Sequence, residues 1–249
     1  MRVETIELKD QKLTVCQPNV NHMMPIETIV YYHGVGGEGI DELPLAYQLV
    51  KQGYRVILPD AYLHSRANRA SRSTQNARFF EIIDVTSQRL AVIYDWIKEK
   101  TGKDEPTLYV GGTSMGGIIT AMSLTQYPFI KKAAMLMGSA KLVDFYHYIT
   151  AELKKGDFPL SETEEQQLLR HLATRDLSQN IAALGHRDLF IWHGQADDYV
   201  PFHLTDQFAQ ELNDHTDYKG HLTYVKEPNQ GHRVSRLARE ACCQFFTQS

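Results

Sequence analysis

Ser114, Asp197 and His232 supply, in that chain order, a hydroxyl, a carboxylate and an imidazole. The serine lies in Gly112-Thr113-Ser114-Met115-Gly116, the acid in Gly194-Gln195-Ala196-Asp197, and the histidine directly after Gly231. These are the parts of nucleophilic acyl transfer. A serine hydroxyl attacks a carbonyl once a base takes its proton, and a histidine is that base when an acid fixes its tautomer. Asp198 stands beside Asp197 as the alternative carboxylate.

The elements around these residues must present them together. Leu108-Tyr109-Val110 has strand character, and Ile118, Ile119, Ala121, Met122 and Leu124 follow at helical spacing. Gly-x-Ser-x-Gly between a strand and a helix is the pattern of a nucleophile elbow. Its serine takes strained backbone angles, and the flanking glycines let strand and helix approach closely. Residues 28–32, 54–58, 107–111, 133–137, 188–193 and 221–225 read as further strands, with 2–8 and 12–17 as an antiparallel pair. Residues 43–52, 79–100, 203–212 and 234–246 read as helices. Such alternation predicts an α/β fold, a mostly parallel sheet of about eight strands with helices on both faces. Ligands then bind at the carboxyl ends of the strands, where Ser114, His33-Gly34 and Asp60 all fall.

The loop His33-Gly34-Val35-Gly36-Gly37-Glu38-Gly39 admits two readings. Gly34, Gly36 and Gly39 fit G-x-G-x-x-G, with Asp60 about twenty residues on, as in a dinucleotide-dependent oxidoreductase. Glu38, Asp41 and Glu42 oppose this, because they put negative charge where a pyrophosphate must sit, and Pro44 starts the helix late. The preferred reading is an oxyanion loop. The Val35 N–H is one donor and the Met115 N–H, after the nucleophile, is the second. His33 then serves as a structural hydrogen-bonder at the edge of the substrate site.

Residues 139–185 interrupt the alternation. Ser161-x-x-Glu164 is a capping-box pattern opening a helix, and the segment is long for a plain crossover. It is expected to be a small helical lid whose aromatics, Phe145, Tyr146, Tyr148 and Phe158, are candidates to line a substrate pocket, with Leu160 beside them in the segment. Residues 64–78 are basic, with His64, Arg66, Arg69, Arg72 and Arg78. They suit either a solvated surface or the attraction of an anionic substrate group.

The 249 residues are 43% hydrophobic and 22% charged, with a formal net charge of −4. That suits one large or two small domains, of which one over 1–249 is expected, and argues against non-specific nucleic-acid binding. The 3 cysteines, Cys16 and the adjacent Cys242-Cys243, form no disulfide framework and suggest a reducing compartment. The polar opening has no secretory pattern and no apolar run approaches a membrane span, so a cytoplasmic protein is expected. The 11 histidines show no metal-ligand spacing, so neither metal nor cofactor is expected. Homo-oligomerisation is left open. A binding protein that senses a ligand without turnover is the reading from a different class.

His193-Gly-x-x-Asp197-x-x-Val200-Pro201, Gly231-His232, Gly112-x-Ser114-x-Gly116 and His33-Gly34 together resemble the α/β-hydrolase superfamily. They are most similar to small bacterial esterases of the YitV-like branch, related to dienelactone hydrolases and prolyl-oligopeptidase catalytic domains. The order Ser…Asp…His is that of this superfamily. The resemblance implies a serine hydrolase of the carboxylesterase kind, with Ser114 as nucleophile, His232 as base and Asp197, by its spacing, as the acid; thioesters and activated amides suit the same machinery, and small acyl esters are the default because no lipase-scale apolar surface is legible. Dienelactone hydrolases proper use a cysteine nucleophile, and Ser114 stands at that position here.

Overall fold

A computed structural model describes residues 1–19, 27–152 and 160–248 of the chain. Phe158 lies outside the described residues.

Among the described residues one sheet has eight strands: β1 (Arg2–Leu8), β2 (Gln11–Gln17), β3 (Thr28–Tyr32), β4 (Arg55–Pro59), β5 (Leu108–Thr113), β6 (Ile130–Leu136), β7 (Asp188–Gly194) and β8 (Leu222–Glu227). Their spatial order is β1-β2-β4-β3-β5-β6-β7-β8. β1 pairs antiparallel with β2 and β2 with β4, while every pair from β4 through β3 to β8 is parallel. The helices are α1 (Leu43–Lys51), α2 (Arg72–Ala77), α3 (Phe79–Gln88), α4 (Leu90–Thr101), α5 (Met115–Gln126), α6 (Leu142–Glu152), α7 (Glu162–Arg175), α8 (Phe202–Asp214) and α9 (Arg236–Thr247).

Period-two alternation divides the strands between two cores. Ile29 and Tyr31 of β3 pack with Leu49 and Val50 of α1 and Phe246 of α9. Val30 and Tyr32 of the same strand join Ile82 of α3, Ile93 of α4 and Ile118 of α5 on the opposite face. Burial on both faces explains why β3 and β5 read as continuous apolar runs rather than alternating ones.

One local expectation is revised. The helix read over 79–100 is two helices meeting at Arg89. Thr86 Oγ1 donates to the Ile82 carbonyl at 2.6 Å and Ser87 Oγ to the Asp84 carbonyl at 2.8 Å. Such bonds back onto the preceding turn compete with the helical ladder and bend helices. Within 139–185, Leu172 of α7 and the short 3₁₀ turns Leu177–Gln179 and Ile181–Leu184 pack into the main core. The capping box forms as written: Ser161 Oγ accepts from the Glu164 N–H, and Glu164 Oε2 accepts from the Ser161 N–H.

Candidate active site

The turn from β5 into α5 carries Ser114. Its backbone sits at φ 56°, ψ −118°, in the left-handed half of conformational space that a serine rarely adopts. A Cβ on Gly112 would lie 2.3 Å from the Gly116 carbonyl, and one on Gly116 would lie 2.1 Å from the Tyr32 carbonyl oxygen. Only glycines let α5 start this close to β5 and β3. The Ser114 N–H donates to the Leu136 carbonyl at 2.8 Å, and the Ile118 N–H donates to the Ser114 carbonyl at 3.1 Å. The turn is thus tied to β6 on one side and to its own helix on the other.

The three residues of the sequence pattern converge. Ser114 Oγ lies 2.8 Å from His232 Nε2, and His232 Nδ1 lies 2.7 Å from Asp197 Oδ2. A carboxylate accepts only, so Nδ1 carries the imidazole proton and Nε2 presents its lone pair to the serine hydroxyl. Asp197 is deeply buried at the end of β7, and its Oδ1 accepts from the Tyr199 and Val200 N–H groups at 2.9 and 3.0 Å. Burial alone raises its pKa. The hydrogen bonds from His193, His232 and Val200 outweigh that and hold the carboxyl well below the usual carboxylate range. Asp198, the alternative acid, instead offers its backbone carbonyl to the Tyr148 hydroxyl.

His193 was not singled out as part of this cluster. It is buried, with Nε2 3.0 Å from the Val200 carbonyl and 3.3 Å from Asp197 Oδ2. Both are acceptors, so Nε2 carries its proton. The spacing His193…Asp197 was visible, but the contact depends on how the turn after β7 folds back.

A cavity of about 670 Å³ opens over Ser114. Gly34, Val35, Met115 and His232 line it beside the serine, and Phe79, Ile118, Met137, Phe145 and Ile149 give it an apolar wall. Gly34 abuts the nucleophile, since a Cβ there would lie 3.5 Å from Ser114 Cβ. Met115 opens α5, where the first N–H groups have no partner within the helix. Val35, in the loop after β3, and Met115, at the start of α5, both line the cavity beside Ser114.

The candidate substrate contacts divide. Phe145 lines the cavity. Tyr146 does not: it is buried against Phe80, with its hydroxyl donated to Glu165 Oε1. Tyr148 is also outside the lining, its hydroxyl spent on the Asp198 carbonyl. His33 is buried beneath the loop. Its Nδ1–H donates to the Gly34 carbonyl at 2.7 Å, and its Nε2 accepts from the Ala61 N–H at 3.0 Å. Burial pushes its pKa down to about 4, so it is a neutral structural link between the ends of β3 and β4. Tyr199, 76% exposed, lines the cavity with its ring centroid 5.3 Å from that of His232. No spacing rule pointed to it.

The glycine loop makes no phosphate cradle. Asp41 Oδ2 accepts from the Glu38 N–H, and Asp60 Oδ1 accepts from the Gly39 N–H at 2.9 Å. Chain carboxylates thus take loop donors that a pyrophosphate would need, which disfavours the dinucleotide reading of Gly34, Gly36, Gly39 and Asp60. Among the described residues, no group of three or more His, Cys, Asp or Glu could hold a metal ion. No helix there is long and apolar enough to cross a membrane.

Comparison with known proteins places this geometry in context. YitV of Bacillus subtilis (strain 168) is 29% identical over 230 residues, covering 91% of this chain and 90% of its own. Esterase YjfP of Escherichia coli (strain K12) is 28% identical, covering 100% of this chain and 99% of its own. Among solved structures, TT1662 from Thermus thermophilus superposes with a TM-score of 0.76 at 19% identity, over 99% of this chain and 97% of that one. A dienelactone hydrolase from Anabaena variabilis superposes with a TM-score of 0.62 at 14% identity, over 99% and 94%. These likenesses identify the α/β-hydrolase fold. The model of the prolyl oligopeptidase family matches residues 84–245, a span holding Ser114, Asp197 and His232 together, and the chain belongs to that family.

Proposed function

We propose that the protein is a serine carboxylesterase acting on small acyl esters. The observation that carries this reading is the relay Ser114 Oγ–His232 Nε2–Asp197 Oδ2, at 2.8 and 2.7 Å, set at the floor of a largely apolar cavity. The family membership and the name of Esterase YjfP support it.

In the proposed reaction the Ser114 oxygen attacks the ester carbonyl carbon while its proton passes to His232 Nε2. The tetrahedral oxyanion is held by the Val35 and Met115 N–H groups, a contribution of about 3 kcal/mol per donor. Collapse breaks the bond to the alkoxide, which leaves with the proton from His232. Water then enters, gives its proton to the same nitrogen and attacks the acyl-serine. The second collapse returns Ser114 and releases the acid. Asp197 keeps the imidazole in the correct tautomer and stabilises its charged form. In this reading 1–249 acts as one domain, α6 of the 139–185 segment covers the acyl chain through Phe145 and Ile149, and the enzyme works in the cytoplasm without a cofactor. Its partner is a small-molecule ester rather than a nucleic acid.

Hydrolysis of 4-nitrophenyl acetate, butyrate and octanoate by the wild type and Ser114→Ala tests the proposal. Turnover that Ser114→Ala loses by a factor of about 10⁴ or more is expected, with labelling of the wild type by a fluorophosphonate. No turnover and no labelling would instead mark a ligand-binding protein built on this fold.

A further inference from the structure

Among the described residues, Arg72 has no carboxylate partner, whereas each other arginine of the basic stretch 64–78 has one. Arg66 and Arg69 meet Glu38 at 3.5 and 2.8 Å, and Arg78 pairs with Glu81. Glu38, the acid of the neighbouring loop, is further taken up by Lys12 at 3.6 Å. Asp41 is occupied by the Glu38 N–H. Arg72 is instead laid over the glycine loop. A Cβ on Gly36 would lie 2.1 Å from Arg72 Nη1, and Gly36 sits at φ +80°, directly after Val35. The guanidinium thus borders the loop that carries Val35, and Arg72 itself lines the cavity.

The rest of the wall sharpens what such a cation can do. Phe79, Ile118, Phe145 and Ile149 are apolar, and among the described residues no aspartate or glutamate lines the cavity. Asn76, one helical turn after Arg72, lines it too and adds an uncharged amide on the same face of α2. An apolar cavity with one uncompensated guanidinium favours a ligand that is apolar along its length and anionic at one point. Guanidinium matches carboxylate geometry with two parallel donors.

We infer that Arg72, with Asn76 beside it, forms a subsite for a carboxylate carried by the ester substrate. The preferred substrates are then half-esters of dicarboxylic acids or esters of carboxy-substituted alcohols and phenols, not neutral esters. This rests on the serine-hydrolase reading above and names the substrate class for that site.

Two matched pairs test it: mono-4-nitrophenyl glutarate against 4-nitrophenyl valerate, and 4-acetoxybenzoate against its methyl ester. The quantity read is the ratio of kcat/KM for the charged to the neutral member, at low ionic strength and after subtraction of the uncatalysed rate. The wild type should favour the charged member of at least one pair by about tenfold. Arg72→Gln should bring that ratio close to one, Arg72→Lys should keep part of it, and Arg78→Gln should keep all of it. Equal or inverted preference in both pairs overturns the subsite, as does a ratio indifferent to Arg72→Gln. Loss of the ratio to the same degree in Arg78→Gln also overturns it, because a diffuse basic field would then suffice. Ser114-dependent turnover of the neutral esters without charge preference defeats only this inference. Turnover that survives Ser114→Ala defeats the reading beneath it.

Discussion

His193 and His232 reach the same oxygen of one carboxylate. Asp197 Oδ2 lies 3.3 Å from His193 Nε2 and 2.7 Å from His232 Nδ1. His193 Nδ1 is buried with no hydrogen-bond partner among the described residues, so this histidine is present for what Nε2 does. It donates to Asp197 and to the Val200 carbonyl, fixing the turn that carries the acid. It also draws on the negative charge that would otherwise act on His232 alone. In His193→Phe the turn loses this donor and Asp197 loses one of its hydrogen bonds, so kcat for 4-nitrophenyl butyrate should fall by about tenfold with KM changed little. His193→Gln, which can still donate, should recover part of that loss. Equal loss in both variants would show that the packing of the ring, and not its donor, is what the site needs.

Glu42 ties stability to pH on the other side of His232. It lines a second cavity of about 350 Å³ with Asp41, Arg233, Arg239 and His232. Burial pushes its pKa up to about 7, Asp41 adds to this, and Arg239 opposes it. A carboxyl raised in the folded state leaves stability intact below the ordinary glutamate value near 4.3. As pH rises through about 7, the folded protein must ionise a group it holds less well than the unfolded chain does. The loss is at most about 4 kcal/mol. Glu42 makes no side-chain cap to α1, so Glu42→Gln removes the titration without removing a cap. The two proteins should melt together at pH 4.5, and the variant should melt higher by several degrees at pH 8. Equal melting temperatures at both pH values would show that Glu42 is ionised without cost in the fold.

The parts of this arrangement that could be read from the chain are those whose geometry is local. The nucleophile elbow was legible because Gly112, Ser114 and Gly116 sit within one turn whose sterics allow little else. The sheet was legible because strands buried on two faces leave long β-branched and aromatic runs. Asp197 and His232 stood out less by themselves than by order and strand-end position. Contacts between distant elements left no such trace. Tyr146 and Tyr148 each lie one residue of α6, about 100° of helix rotation, to either side of the inward direction set by Phe145 and Ile149, and no periodicity fixes that rotation before packing does. His33 reads as a structural hydrogen-bonder at the edge of the site, but that it braces β4 through the Ala61 N–H needed the folded chain. The close pairing of His193 with Asp197 needed the folded turn.

Asp60 shows how a brace can affect chemistry at a distance. Its carboxylate, deeply buried, takes the Gly39 N–H at 2.9 Å and the Lys12 ammonium at 3.2 Å. It thereby anchors the far end of the loop that carries Val35. In Asp60→Ala the Gly39 N–H loses its partner and the loop loses its anchor, while Ser114, His232 and Asp197 are untouched. The expected outcome is a fall in kcat of about tenfold with KM changed less than threefold, because an oxyanion donor acts more in the transition state than on bound ester. Fluorophosphonate labelling should persist at a reduced rate. An unchanged kcat would show that Val35 holds its position without Asp60, or that it donates nothing to the reaction.

Gly116 tests the elbow as a packing constraint, separate from its chemistry. A methyl group there would lie 2.1 Å from the Tyr32 carbonyl oxygen and 2.5 Å from its carbon. Those are backbone atoms of a central strand that pairs with β4 and β5, so no side-chain rotation relieves the clash. α5 must shift away from the sheet, and its buried face, including Ile118, Ile119 and Met122, must shift with it. Overpacking of this kind costs about 3 kcal/mol, which lowers the melting temperature by roughly 6 to 12 °C in a domain of this size. Gly116→Ala should therefore melt early even with Ser114→Ala in the background, where no catalysis is at stake. A double variant that melts with its Ser114→Ala parent would mean that α5 and β3 do not approach as closely as the elbow requires.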